Sequence, residues 1–207
     1  MNTLDTSHIP DFPAQIAIGW SEIQSGLSAH VLSKKDRLRL DSMINDRRKS
    51  EFLSARHTFW SLIDELGWDH EYVTLEKEEL GKPYIELKGK RAFISFSHTK
   101  NLVFCAISKT LDLGLDAESI DRKVNPAIVK RILSENEWDI YGEEDPIALW
   151  TMKEAAVKSL GTGLRTNLKD IELRKFKGSK FLIGLGTEKK LQGHCFTALK
   201  HCISIAY

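Results

Sequence analysis

Two carboxylates, Asp116 and Glu118, stand two residues apart in the run Leu111-Asp-Leu-Gly-Leu-Asp-Ala-Glu118. Leu111, Leu113 and Leu115 alternate through the same run, as on the buried face of a strand, which sends Asp112, Gly114, Asp116 and Glu118 to the opposite face. A carboxylate pair at i and i+2, with a glycine leaving room beside it, suits a hard cation. Mg²⁺ takes one or two carboxylates and completes its shell with phosphate oxygens and water. Acidic pairs also occur at strand ends without any metal, so the pair alone decides nothing.

A second group lies on a helix expected from Ile147 to Leu160. Trp150, Glu154 and Lys158 fall at i, i+4 and i+8 and form one lane, while Leu149, Met152, Ala156 and Leu160 form a separate apolar lane. An exposed Glu154–Lys158 pair, worth about 0.2–0.5 kcal/mol, accounts for the charges. It accounts less well for a large Trp in the same lane, as though that lane also met protein. A third group is Phe93-Ile-Ser-Phe-Ser-His-Thr99, an apolar strand ending in hydroxyl residues around His98. A histidine there can donate to a phosphate oxygen or simply be a satisfied loop residue. Upstream, Gly81-Lys82-Pro83 fixes a turn that would aim a lysine.

The elements that must carry these residues fall into a coarse repeat. A helix from Ser50 to Leu66, with Phe52, Phe59, Ile63 and Leu66 on one stripe, is followed by strands at Tyr72–Leu75, Tyr84–Leu87, Ala92–Phe96 and Leu102–Ile107. Short helices opened by Asn125-Pro126 and by the capping-box pattern Ser134-Glu-Asn-Glu137 precede the Asp145-Pro146 helix, which stops at Gly161. Strands at Asp170–Arg174, Lys180–Gly184, Gly193–Leu199 and Cys202–Tyr207 close the chain. Helix then antiparallel strands, twice over, predicts an α+β fold of two similar lobes, 1–110 and 111–207.

Composition narrows the partners. The chain has 207 residues, 42% hydrophobic, with 30 Lys and Arg against 29 Asp and Glu, so bulk charge names no polyanion and a nucleic-acid binder is not expected. Locally, Lys34–Lys49 holds seven basic and three acidic residues, and Glu135–Asp145 holds six acids and no base. Such runs are either solvated faces or meeting points for phosphates and cations. Cys105, Cys195 and Cys202 make no C-x-x-C pair, and no apolar run approaches the roughly 20 residues needed to span a bilayer. Met1–Gln15 carries Asp5, Asp11 and two prolines and lacks a signal peptide's basic head, so a cytoplasmic, reduced protein away from the membrane is expected. No P-loop or G-x-G-x-x-G string is present.

Taken in order, Gly81-Lys-Pro, Ser97-His-Thr99, Gly114-Leu-Asp-Ala-Glu118 and Trp150-Thr-Met-Lys-Glu154-Ala-Ala-Val-Lys158 resemble the 4′-phosphopantetheinyl transferase family, in its large, double-length, surfactin-synthetase-activating type. The resemblance spans about Gly81 to Gly163. It rests on G-x-D-x-E and W-x-x-K-E-A-x-x-K occurring together, about thirty residues apart. It departs at Ala117, at Thr99 where Ser is commoner, and at Phe59-Trp60 where relatives place a basic residue. None of these removes a group the chemistry needs.

The resemblance implies two α/β lobes with coenzyme A in the cleft between them. It implies Mg²⁺-dependent transfer of 4′-phosphopantetheine to a serine of an acyl or peptidyl carrier protein, releasing adenosine 3′,5′-bisphosphate. Asp116, Glu118 and Glu154 then match the metal site. Glu154, Lys158 and His98 match the catalytic groups, Glu154 as base and the other two against phosphate oxygens. Lys82, Arg48, Arg56, Ser97, His98 and Lys158 match the coenzyme A side, with Trp150 packed beside the site. The double length implies a monomer, since the second lobe replaces a neighbouring subunit. The competing class is a non-catalytic module binding coenzyme A or a carrier protein; retention of Asp116, Glu118, Glu154 and Lys158 together argues against it.

Overall fold

The computed structural model describes residues 1–186 and 189–207 and contains two antiparallel sheets. The first is ordered β1-β2-β6-β5-β4-β3, from β1 (Asn2–Thr3), β2 (Ile16–Glu22), β3 (Val73–Lys77), β4 (Pro83–Leu87), β5 (Lys90–His98) and β6 (Leu102–Ser108). The second is ordered β7-β11-β10-β9-β8, from β7 (Gly114–Ser119), β8 (Ile171–Lys177), β9 (Lys180–Leu185), β10 (Lys189–Ala198) and β11 (His201–Ala206). Helices α1 (Lys34–Asp41) and α2 (Asp46–Glu65) lie between β2 and β3. Helices α3 (Pro126–Ile132), α4 (Glu135–Tyr141) and α5 (Pro146–Leu160) lie between β7 and β8.

Set side by side, the orders β2-β6-β5-β4-β3 and β7-β11-β10-β9-β8 are one topology. A strand leads through helices into four antiparallel strands, the last of which returns to pair with the first: Ile16 faces Ser108, and Ser119 faces His201. The expected α+β fold of two similar lobes is what the chain adopts. The opening strand of the first lobe, β2, is absent from the sequence reading although Ile16 and Ile18 alternate there; it completes the match between the halves. Helix α1 also goes unread, because none of its side chains is buried and it shows no apolar stripe.

Local signals set the helix ends. Helix α2 begins four residues earlier than Ser50 because the Asn45 side chain accepts from the Arg48 amide at 3.0 Å. The Ser134/Glu137 capping box forms as expected, and Asp145 caps α5 through the Ile147 amide. Helix α5 ends at Gly161, whose φ of 71° is the left-handed conformation that glycine adopts without strain.

One apolar cluster joins the lobes. Ile16, Ile18, Phe104 and Ala106 of the first sheet pack on Leu113, Leu115, Ala117, Ile203 and Ile205 of the second. Burying this continuous face fixes β7 against the first sheet and decides which way its other side chains turn. The alternation expected from Leu111 starts at Leu113: Leu111 is only partly buried, and Asp112 precedes the strand instead of sharing its face.

Candidate active site

The site is built where α5 lies directly on β7. Gly114 permits that contact: a Cβ there would collide with the Ala155 carbonyl oxygen and the Ser159 amide nitrogen of α5. Helix α5 is buried nearly all round, and Trp150, Glu154 and Lys158 form its half-exposed lane. The pair expected on an exposed helix surface thus faces the seam between the lobes.

From β5, two serines reach across to the free edge of β7. Ser95 Oγ accepts from the Leu115 amide at 2.9 Å, and Ser97 Oγ accepts from the Ala117 amide at 3.1 Å. Ser97 also donates to Asp116 Oδ1 at 3.0 Å, which Lys158 Nζ holds at 2.7 Å. Asp116 is 7% exposed, and its other oxygen, Oδ2, is buried with no partner. A buried, unpaired carboxylate oxygen costs free energy unless an ion or water meets it.

Glu118 and Glu154 are close enough to feel that charge. Burial raises the Glu154 pKa above the ordinary carboxylate value; the Asp116 and Glu118 charges push the same way, and Lys158 opposes them. Burial likewise raises Glu118, with Arg122 the main opposing influence and Asp116 adding to the rise. Glu118 is turned to Arg122, whose guanidinium lies 5.8 Å from the Trp150 ring centre, so Trp150 backs the ion pair. Among the described residues no three His, Cys, Asp or Glu side chains already close on one point as a metal cage. The donor set nevertheless fits a hard dication: oxygen ligands only, mutual repulsion, and an oxygen left unsatisfied.

Beside the carboxylates opens a cleft of about 790 Å³ between the lobes. Seven Lys or Arg residues line it against one carboxylate, Glu51, so it presents a field for anions. Lys158, Ser97 and His98 line it, whereas Asp116, Glu118 and Glu154 do not. Not every basic group is free. Lys158 also donates to the Phe96 and Leu115 carbonyls at 3.2 and 2.9 Å, although its side chain stays 30% exposed. Arg56 is buried, forked onto Asp36 at 2.5 and 3.1 Å, and stacked over Phe52. Lys82 borders the cleft with its ammonium on Asp112. His98 is exposed at the end of β5, 3.5 Å from Glu51. Among the described residues Arg39, Arg48 and Lys77 line the cleft without a carboxylate partner.

Lys153, the basic residue inside the W-x-x-K-E string, is a structural component that sequence reasoning passes over. Its side chain is 1% exposed, 2.7 Å from Glu137 Oε1, and donates to the Leu168 carbonyl at 3.0 Å. Glu137 in turn accepts from the Leu173 and Ser134 amides at 2.6 and 2.7 Å. One buried ion pair therefore ties α5 to α4 and β8. Its partner lies sixteen residues away inside a capping box, so no local spacing announces it.

Residues 112–206 match the family model described as the 4′-phosphopantetheinyl transferase superfamily, a span that starts at Asp112 and takes in Asp116, Glu118, Glu154 and Lys158. Over these residues the chain is similar to that superfamily. It is 29% identical over 110 residues to the 4′-phosphopantetheinyl transferase gsp of Aneurinibacillus migulanus, covering 50% of this chain and 44% of that protein. Against the 4′-phosphopantetheinyl transferase HetI of a Nostoc species it is 25% identical over 156 residues, 70% of this chain and 65% of the relative. A holo-[acyl-carrier-protein] synthase of Staphylococcus carnosus matches over 87 residues at 29% identity, 39% of this chain and 74% of that one. The matches therefore span less than two thirds of gsp and HetI. Lys82, Arg48, Arg56, Ser97 and His98 lie outside the superfamily span. No helix among the described residues is long and apolar enough to cross a membrane.

Proposed function

We propose that this protein transfers the 4′-phosphopantetheine arm of coenzyme A to a serine hydroxyl of an acyl or peptidyl carrier protein, releasing adenosine 3′,5′-bisphosphate. The observation that carries the reading is the buried Asp116 carboxylate, one oxygen unpartnered, flanked by Glu118 and Glu154 beside a basic cleft. The names of its relatives point to the same reaction.

Asp116, Glu118 and Glu154 would hold a Mg²⁺ ion. Bound there, it supplies positive charge to offset charge developing on the pyrophosphate. The chain's own residues do the rest. Arg48, with Arg39 and Lys77, offers cations for the phosphates of coenzyme A, arginine being suited to a forked grip on phosphate. Glu154, whose pKa burial raises, accepts the serine proton directly or through water as the serine Oγ attacks the phosphorus bearing the pantetheine arm. The bond from that phosphorus to the bridging oxygen of the pyrophosphate breaks, and the electron pair leaves with adenosine 3′,5′-bisphosphate. His98 and Lys158, at the cleft boundary, stabilise the phosphate oxygens. With both lobes lining one cleft, we read the working unit as a monomer, and with three free buried cysteines as a cytoplasmic one.

Two treatments test the reading. Excess chelator is expected to stop transfer and restored Mg²⁺ to bring it back. A folded Asp116→Ala protein is expected to lose transfer by roughly a hundredfold or more, the scale of losing electrostatic stabilisation at a reacting phosphate. Full transfer in chelator would remove the metal, and full transfer by Asp116→Ala would remove this residue from the site.

A further inference from the structure

Lys82 borders the cleft but does not offer its charge to it. Its side chain is 5% exposed, and its ammonium donates to the Asp112 carboxylate and to the Ser159 carbonyl oxygen. The two acceptors come from different parts of the chain. Asp112 lies in the segment that feeds β7, and Ser159 lies in the last turn of α5. The final carbonyls of a helix have no partner inside it, and a cation there also meets the negative end of the helix dipole. The lysine stem is fixed too: a Cβ on Gly161 would stand 2.9 Å from Lys82 Cδ, so the helix end packs against the methylenes. Upstream, Gly81 N donates to the Glu78 carbonyl and Glu78 N to the Lys82 carbonyl, each at 2.9 Å, closing the turn that delivers Lys82 to β4.

We infer that Lys82 is a positioning residue: its ammonium locks the start of β4, the approach to β7 and the end of α5 together, and is not a ligand for coenzyme A. Three stretches of chain meet at one nitrogen. Two of them carry Asp116, Glu154 and Lys158, so the lock sets where those groups stand relative to the cleft. Lys82 thereby leaves phosphate recognition to the basic groups that have no carboxylate partner. The inference takes its activity readout from the transfer reaction proposed above.

The test compares the full-length protein with Lys82→Met, Asp112→Asn and the double variant. Turnover at saturating coenzyme A is expected to fall about tenfold in each single variant, the scale of a small misplacement of reacting groups. The double variant should be no slower than the slower single, because both remove one lock. Coenzyme A affinity by titration calorimetry should stay within about twofold of wild type, and equally so for dephospho-coenzyme A, as expected when no ground-state contact is lost. Backbone amides at Ser159–Gly161 should exchange faster in both single variants. A selective loss of coenzyme A affinity in Lys82→Met, with Asp112→Asn unaffected, would overturn the assignment and make Lys82 a ligand. If the wild-type protein transfers nothing, the reaction is wrong, and the lock is still judged: unchanged exchange at Ser159–Gly161 in both variants overturns it.

Discussion

Glu154→Gln is expected to slow carrier modification by roughly a hundredfold or more, the usual scale for losing a positioned general base, while the melting temperature holds level or rises slightly. The two halves of that expectation have one cause. Glu154 is held in a partly buried lane beside Asp116 and Glu118, and burial followed by the Asp116 charge raises its pKa. A folded-state pKa above the unfolded value means that folding disfavours the ionised form. The cost is fully present above the folded pKa and vanishes below the unfolded one. At neutral pH and without metal, glutamine removes that cost and keeps the shape, so stability does not suffer. It also removes the basicity, so transfer does. An ordinary surface pair with Lys158 makes the opposite forecast: a loss of about 0.2–0.5 kcal/mol and unchanged transfer. Thermal melts and single-turnover transfer at saturating coenzyme A separate the two, and near-normal turnover would defeat the base assignment.

Lys153→Met carries the largest expected cost in stability, about 3–5 kcal/mol, the range for removing one partner of a buried ion pair. The substitution leaves the buried Glu137 carboxylate bonded to the Ser134 and Leu173 amides but without its ion-pair partner. The cost comes from the stranded carboxylate more than from the lost attraction. Lys153→Met combined with Glu137→Gln should therefore recover part of the loss, because the remaining partner is then neutral. Urea unfolding at neutral pH with an unchanged m-value reads both. A loss below about 1 kcal/mol for Lys153→Met would show that the pair is solvated in solution, like the exposed pairs that contribute that little.

The residues of the candidate site were more legible in the sequence than the contacts that hold them. Asp116, Glu118, Glu154 and Lys158 announce themselves because period-two and period-3.6 spacing is a local property of a strand and a helix. Capping at Ser134, Asp145 and Asn125-Pro126 is equally local, and those helices start where the residues indicate. What escaped depends on contacts between distant segments. Helix α1 is held by its cap and by the Asp36–Arg56 pair, not by an apolar stripe, so periodicity has nothing to report. Ser95 and Ser97 look like hydroxyls beside a phosphate site, yet they cap the free edge of β7, a use that exists only once two sheets meet. Arg56 and Lys82 read as open cations and are paired with Asp36 and Asp112, because a long basic side chain finds its acid in space and not along the chain.

The central claim is that this cleft moves phosphopantetheine from coenzyme A to a carrier serine. The most direct measurement follows one reaction from both sides. Apo forms of a fatty-acid, a peptide-synthetase and a polyketide carrier protein are each incubated with the protein, coenzyme A and Mg²⁺. The carrier's intact mass and the released nucleotide are then recorded together. The predicted result is one phosphopantetheine group added per carrier, on its serine, with an equal amount of adenosine 3′,5′-bisphosphate in solution. Coenzyme A bound by the protein, with every carrier unmodified and no nucleotide released, would contradict it.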